Sequence, residues 1–168
     1  MAGARVWAAT TQKPARMNRH SKHQSAKSAV ATRLRHLGYT VVEGSRNGKY
    51  DLSVQGSIRV ALRVAYPGRY AHTVQVNGRC YTYDYKSWNF NFHRHGQWSE
   101  PYCDVFVCIA KQRSAADEVF LIPATAVSGP TFSLHASGKP YRGRYAEYRN
   151  RWSVFAELLV GAQTHEVA

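Results

Sequence analysis

Tyr50-Asp51-Leu52-Ser53-Val54-Gln55-Gly56-Ser57-Ile58-Arg59-Val60-Ala61-Leu62-Arg63-Val64-Ala65 is the stretch that decides the architecture. Apolar residues gather on both sides of Gln55-Gly56-Ser57, which marks a hairpin turn between two strands. An acidic residue opens the first strand and a basic residue stands inside the second. Upstream, Ser25 to Leu37 reads as a helix: Ala26, Val30, Leu34 and Leu37 recur at spacings of four, four and three, which lays one apolar stripe against a core. Gly38 supplies the left-handed cap that ends it. Tyr39-Thr40-Val41-Val42 is a short strand, and Ser45-Arg46-Asn47-Gly48-Lys49 a turn.

Downstream, Tyr81, Tyr83 and Tyr85 share one face of a strand, while Trp88, Phe90 and Phe92 continue on the opposite parity, so a bulge or bend is expected near Lys86-Ser87. Cys103-Asp104-Val105-Phe106-Val107-Cys108-Ile109 is a nearly continuous apolar run of the kind buried in a mixed sheet. Val119-Phe120-Leu121-Ile122-Pro123 is its expected neighbour, ended by proline. Tyr145, Tyr148, Trp152, Phe155 and Leu159 recur at three, four, three and four, a helix stripe closing onto the sheet. The chain therefore divides into a basic arm over 1–22, one α/β domain over 23–160 and a tail over 161–168.

Composition limits the partners. The 168 residues hold 23 Lys and Arg against 10 Asp and Glu, a formal charge of +13, which favours a polyanion and above all nucleic acid. The first acidic residue is Glu43, and an acid-free basic arm can track a phosphate backbone. The same arm shares its Arg-bearing, acid-poor composition with organelle transit peptides. Cys80, Cys103 and Cys108 form no CxxC pair, which fits a reducing compartment and hence an intracellular protein in cytoplasm or nucleoid. No apolar run reaches membrane-spanning length.

The order helix, strand, Asp51 strand, basic strand, aromatic strand, Asp104 strand, Pro123-ended strand and closing helix resembles the PD-(D/E)XK nuclease superfamily over roughly residues 24 to 156. Within it, Tyr50-Asp51-Leu52, Trp88-Asn89-Phe90, Cys103-Asp104-Val105-Phe106-Val107 and Leu121-Ile122-Pro123-Ala124 look most like the branch of group I intron homing endonucleases and junction resolvases. The resemblance implies a restriction-endonuclease-like α/β core, a central mixed sheet flanked by helices, and a homodimer presenting two clefts to double-stranded DNA. It also implies a Mg²⁺-dependent phosphodiesterase centre, in which carboxylates hold the metal and a lysine positions water or developing charge.

The family pattern Asp...(Glu or Gln)-x-Lys reads here as Asp51...Ala61-Leu62-Arg63, and the glutamate that many relatives carry on the first helix reads as Lys27. Asp51 is the single side-chain ligand left in that pattern. Replacing acids by Lys27, Ala61 and Arg63 turns a cation pocket into an anion pocket, so the resemblance implies a DNA-binding protein with a degenerate catalytic centre. A second reading keeps an active endonuclease, with Asp51 as metal ligand and Glu43 and Arg63 completing a rearranged centre around Mg²⁺. The structural alternative for Asp51 is a residue capping backbone amides at the hairpin start.

Tyr66, Tyr70, Tyr81, Tyr83 and Tyr85 interleave with Arg69, Arg79 and Lys86, a mixture that can stack on bases while holding phosphates. With Lys27, the residues Arg69, Tyr70, Arg79 and Lys86 form the expected nucleic-acid contact set, and a third reading makes the chain an RNA-binding module using the arm and these tyrosines. His93-Arg94-His95 offers two imidazoles on one face, read as a solvated strand face or a phosphate contact. Cys103 and Cys108 fall on opposite faces of a strand by parity and read as core thiols.

Overall fold

The protein, seen in a computed structural model, is described over residues 19–44, 50–94, 97–98, 102–113, 115–135 and 142–165. Residues 1–18 of the expected 1–22 arm, the 45–49 turn and His95 lie outside the described residues. Helix α1 spans Arg19–His36 and so takes in residues 19–22. Ala26, Val30, Ala31 and Leu34 are its buried stripe, whereas Leu37 is 42% exposed. Leu37 leaves the stripe because the helix has already closed: Gly38 N–H donates to Arg35 O at 2.9 Å and Tyr39 N–H to Leu34 O at 3.1 Å, with Gly38 at φ +90°. This is the double cap in which only a residue without Cβ sits comfortably.

Strands β1 (Val41–Glu43), β2 (Leu52–Val54), β3 (Ile58–Ala65), β8 (Val105–Ala110) and β9 (Glu118–Pro123) form a five-stranded sheet in the order β1-β2-β3-β8-β9. β3 and β8 run parallel at its centre and the other pairs are antiparallel, so the expected mixed sheet is present and the predicted β2–β3 hairpin turns at Gln55 and Gly56, both at positive φ. A second sheet, ordered β10-β5-β4, is built from β4 (Gly68–Val76), β5 (Arg79–Asn91) and β10 (Thr131–His135), with a small β6 (His93–Arg94) and β7 (Gln97–Trp98) pair beside it. The β4–β5 turn is Asn77-Gly78, both left-handed, the geometry a two-residue hairpin of this twist requires.

Among the described residues, helices pack on one face of the central sheet only. Val60, Leu62, Val105, Val107 and Leu121 pack with α1 and with α2 (Val154–His165) on one face. Ala61, Phe106, Cys108, Phe120 and Ile122 pack on the other against Trp88, Phe90, Phe132 and Leu134 of the second sheet and against Phe92 just beyond β5. The alternation along β3 and β8 assigns each side chain to one layer. Burying each of those phenylalanines contributes about 1.5–3 kcal/mol, so aromatic strands cover the face where a helix was expected.

Three further expectations change. β5 keeps an unbroken register through Lys86-Ser87; no bulge occurs there, and Ser87 is instead where β5 passes from pairing with β4 to pairing with β10. The tyrosines and Trp88, Phe90 and Phe92 still take opposite parities. The stripe from Tyr145 to Leu159 is not one helix: Ala146–Tyr148 is a single 3₁₀ turn, Arg149 bridges Phe120, Asn150 N–H donates to Val119 O at 2.8 Å, and α2 starts only at Val154. Asn150 at φ +53° lets the chain cross the sheet edge there. Tyr145 and Tyr148 pack on the aromatic side and Trp152, Phe155 and Leu159 on the helix side. Cys103 and Cys108 share the aromatic cluster because Cys103 precedes the strand and escapes its parity. Burial pushes the Cys103 thiol up to about 12 and the Cys108 thiol upward as well, so both are inert core groups.

Asp104 ties the two central strands together. Its carboxylate accepts from Arg59 N–H at 2.7 Å, Nε at 3.1 Å and Nη2 at 2.9 Å, and its own N–H donates to Arg59 O. Partial burial pushes the Asp104 carboxyl up, yet the Arg59 hydrogen bonds outweigh it and hold the group below its usual 3.8. A carboxyl lowered in the folded state adds stability above its unfolded pKa, and that stability disappears as pH falls through the folded value. Urea midpoints between about pH 5 and pH 3 are therefore expected to fall more steeply for the native chain than for Asp104→Asn; equal slopes would remove Asp104 from the acid response.

Candidate nucleic-acid interface

Asp51 stands just before β2, where β2 stops pairing with β3. Its N–H donates to Val60 O at 2.8 Å, and its Oδ2 accepts the Leu62 N–H at 2.7 Å. The carboxylate thus continues the ladder where the strand has ended, the amide-capping role. His23 of α1 approaches the other oxygen, with Nε2 at 3.8 Å from Oδ1. Gly44 holds this corner closed: its N–H donates to Asp51 O at 2.8 Å, and a Cβ there would collide with the Tyr50 carbonyl oxygen.

Lys27 is buried on α1. Its Nζ reaches Glu43 Oε2 at 3.1 Å and donates to Gly44 O at 3.4 Å, and Gln24 Nε2 donates to the same carboxylate oxygen. Hydrogen bonds from Lys27 and then Gln24 hold the Glu43 carboxyl below its usual value. Ala61 is buried opposite Phe106. Arg63 Nε donates to Asn91 O at 2.7 Å, Nη1 to Leu62 O at 2.9 Å and Nη2 to Phe92 O at 3.4 Å, while the guanidinium lies 5.4 Å from the Phe106 ring centre. Among the residues expected to form the centre, then, Glu43 is bound to Lys27, and Arg63 fastens β3 to the end of β5. Among the described residues no three His, Cys, Asp or Glu side chains come together as a metal-binding group.

Cations gather instead around the root of the β4–β5 hairpin. One cleft of about 440 Å³ is lined by Lys22, His23, Tyr66, Ser87 and Asn89 as well as Val64, Ala65 and Gly68; Lys22 Nζ lies 4.7 Å over the Tyr66 ring. A second hollow of about 300 Å³, lined by Arg69, Lys86, Trp88, Gln112 and Arg113 with Pro67, adjoins it at Gly68. Among the described residues no acidic side chain lines either one. Together they make a positive band running from α1 across the hairpin root, the footprint a phosphate backbone follows. Asp84 sits beside that band and pairs with Arg69 through Nε at 2.9 Å.

The expected contact set is divided by this geometry. Arg69 and Lys86 are paired across the two strands and lie on the band. Tyr70, Tyr81 and Tyr83 are exposed on the other face of the hairpin by strand parity, with Arg79 near its tip. Tyr70 packs on Tyr85 with ring centres 5.3 Å apart, and Tyr85 meets His135 edge-on at 4.6 Å. Lys22, His23 and Arg113 were not anticipated; His23, four residues before Lys27 on a helix facing Asp51, was available from the helical period.

The fold has a solved counterpart. The chain is similar to a bacterial homing endonuclease, I-Ssp6803I, with a TM-score of 0.60 and 14% identity over 88% of this chain and 99% of that one. No protein-family model and no curated protein matches the sequence. The similarity establishes a nuclease-like fold. No described helix is long and apolar enough to cross a membrane.

Proposed function

We propose that this chain is a DNA-binding protein of the PD-(D/E)XK type that holds duplex DNA along its hairpin-root band and does not cut it. The observation that carries the reading is the engagement of the old centre. Asp51 caps the Leu62 amide, the position for a second carboxylate is the buried methyl of Ala61, and the Arg63 guanidinium is turned onto main-chain carbonyls. A Mg²⁺ ion requires several oxygen ligands in near-octahedral array, and this donor set does not fit one.

Duplex DNA is favoured over a single strand by the separation of roles on the hairpin. Base stacking and phosphate binding by one groove would need the tyrosines and cations side by side, yet Tyr70, Tyr81 and Tyr83 face away from Arg69 and Lys86. The similar structure is of a homing endonuclease, which supports DNA as the partner. Equilibrium binding of a labelled duplex and of a single-stranded RNA of equal length, both in chelator, tests this. Tighter duplex binding that weakens steeply with salt is expected; preference for the RNA would establish the RNA-binding reading in its place.

A further inference from the structure

Strand β4 ends its sheet, and within the described residues nothing pairs with its outer edge. A nine-residue edge strand is usually protected by lysine, proline or a bulge. Gly68–Val76 has the sequence GRYAHTVQV and carries none of these. Its single formal charge, Arg69, is already paired with Asp84.

The turn fixes which backbone groups face outward. Across the two-residue Asn77-Gly78 loop, Val76 and Arg79 form the closing hydrogen-bonded pair, so Gln75, Thr73 and Ala71 direct their N–H and C=O away from β5. The side chains of those three are short or uncharged and leave room for an approaching strand. On the neighbouring face Tyr70, Val74, Val76, Tyr81 and Tyr83, each between 36% and 49% exposed, form one apolar surface. Such a surface on a soluble domain marks an interaction site.

We propose that β4 is a self-association edge, pairing antiparallel with β4 of a second copy about a two-fold axis to make a continuous β5-β4-β4-β5 sheet. Charge selects this occupant. A chain of +13 repels its own copy over most of its surface, and residues 71–76 are a stretch without formal charge where two copies can meet. The same neutrality makes the edge a poor seat for a polyanion. An isologous antiparallel pair is self-complementary by construction. With the axis at Thr73, Val76 of one copy lies beside Tyr70 of the other, so the apolar faces join where the edges meet. Because β4 begins at the cation band, the pairing would also link the two bands through one rigid sheet.

Sedimentation velocity of the full chain, with Thr73→Pro and Thr73→Lys as variants, tests the edge. Proline at 73 removes an outward N–H and leaves the β4–β5 ladder intact; lysine at 73 places like charges opposite each other across the two-fold axis. A dimer at micromolar concentration is expected for the native chain and a monomer for each variant, with native circular dichroism and a thermal midpoint matching the monomer. Thr73→Lys decides the case if Thr73→Pro does not fold. A monomeric native chain, or a dimer that survives Thr73→Lys, overturns the proposal. So does a dimer that forms only when duplex DNA is added, since the DNA and not the edge would then hold the copies together.

Discussion

Ala61→Glu is expected to cost the domain about 3–5 kcal/mol, the range for an uncompensated buried charge, without producing a metal centre. Ala61 is 2% exposed and stands opposite Phe106 within the cluster that includes Phe92. A carboxylate there loses its hydration among aromatic rings. The cation two residues on is committed elsewhere: Arg63 would have to leave the carbonyls of Asn91, Leu62 and Phe92 to meet it, exposing those acceptors to the same penalty. A loss of this size is a large part of the about 5–15 kcal/mol that holds a domain folded. Urea denaturation with and without Mg²⁺ measures it. The expected result is a much lower midpoint that Mg²⁺ does not raise; a variant that Mg²⁺ selectively stabilises would show that the cleft still accepts the ion.

The second large effect concerns the band. Removing Lys22, Arg69, Lys86 and Arg113 together, each to Ala, is expected to lower duplex affinity about 10³-fold, taking about 1 kcal/mol for each charge-assisted phosphate interaction. The salt dependence should flatten in step, by about 0.9 in the log–log slope for each phosphate no longer neutralised. Losing Arg69 also releases Asp84 to repel the backbone, which acts in the same direction. Sequence preference should stay as it was, because groups that bind phosphate position a protein without reading bases. A quadruple variant that keeps its slope would place the DNA on another face.

How much of this was legible in the sequence depended on whether a signal was local. The β2–β3 hairpin, the β8 and β9 pairing and the Gly38 cap follow from alternation and turn chemistry within a few residues. The closing stripe of Tyr145 to Leu159 carried a helical period although one asparagine, Asn150, splits it across two layers; period alone does not see a φ of +53°. Asn77-Gly78 is a strong hairpin dipeptide, and β4 before it went unread because its exposed valines, threonine and tyrosine alternate between two solvent-facing sides and lack a core pattern. Strand β10 was missed for a related reason, since Phe132 and Leu134 alternate over only five residues.

At the site, the sequence names candidate residues and is silent on their partners. Lys27 and Glu43 meet where α1 faces β1, Asp51 caps β3 at Leu62, and Arg63 lies on the other face of β3, against the end of β5. Their partners are fixed by tertiary geometry: Leu62 N–H for Asp51, Glu43 for Lys27, and the end of β5 for Arg63. Spacing cannot reveal a cation that is satisfied by carbonyls 28 residues away. The positive band is carried instead by Lys22, Arg69, Lys86 and Arg113, assembled from one helix, two strands and a loop, with Asp84 paired to Arg69 at its margin.

Incubation of the full chain with supercoiled and branched DNA, in Mg²⁺ or Mn²⁺ and in chelator, alongside Asp51→Ala, tests the central claim most directly. A mobility shift that chelator leaves unchanged, with no nicked product from either protein, is the result the account predicts; metal-dependent nicking by the native chain that Asp51→Ala abolishes would contradict it.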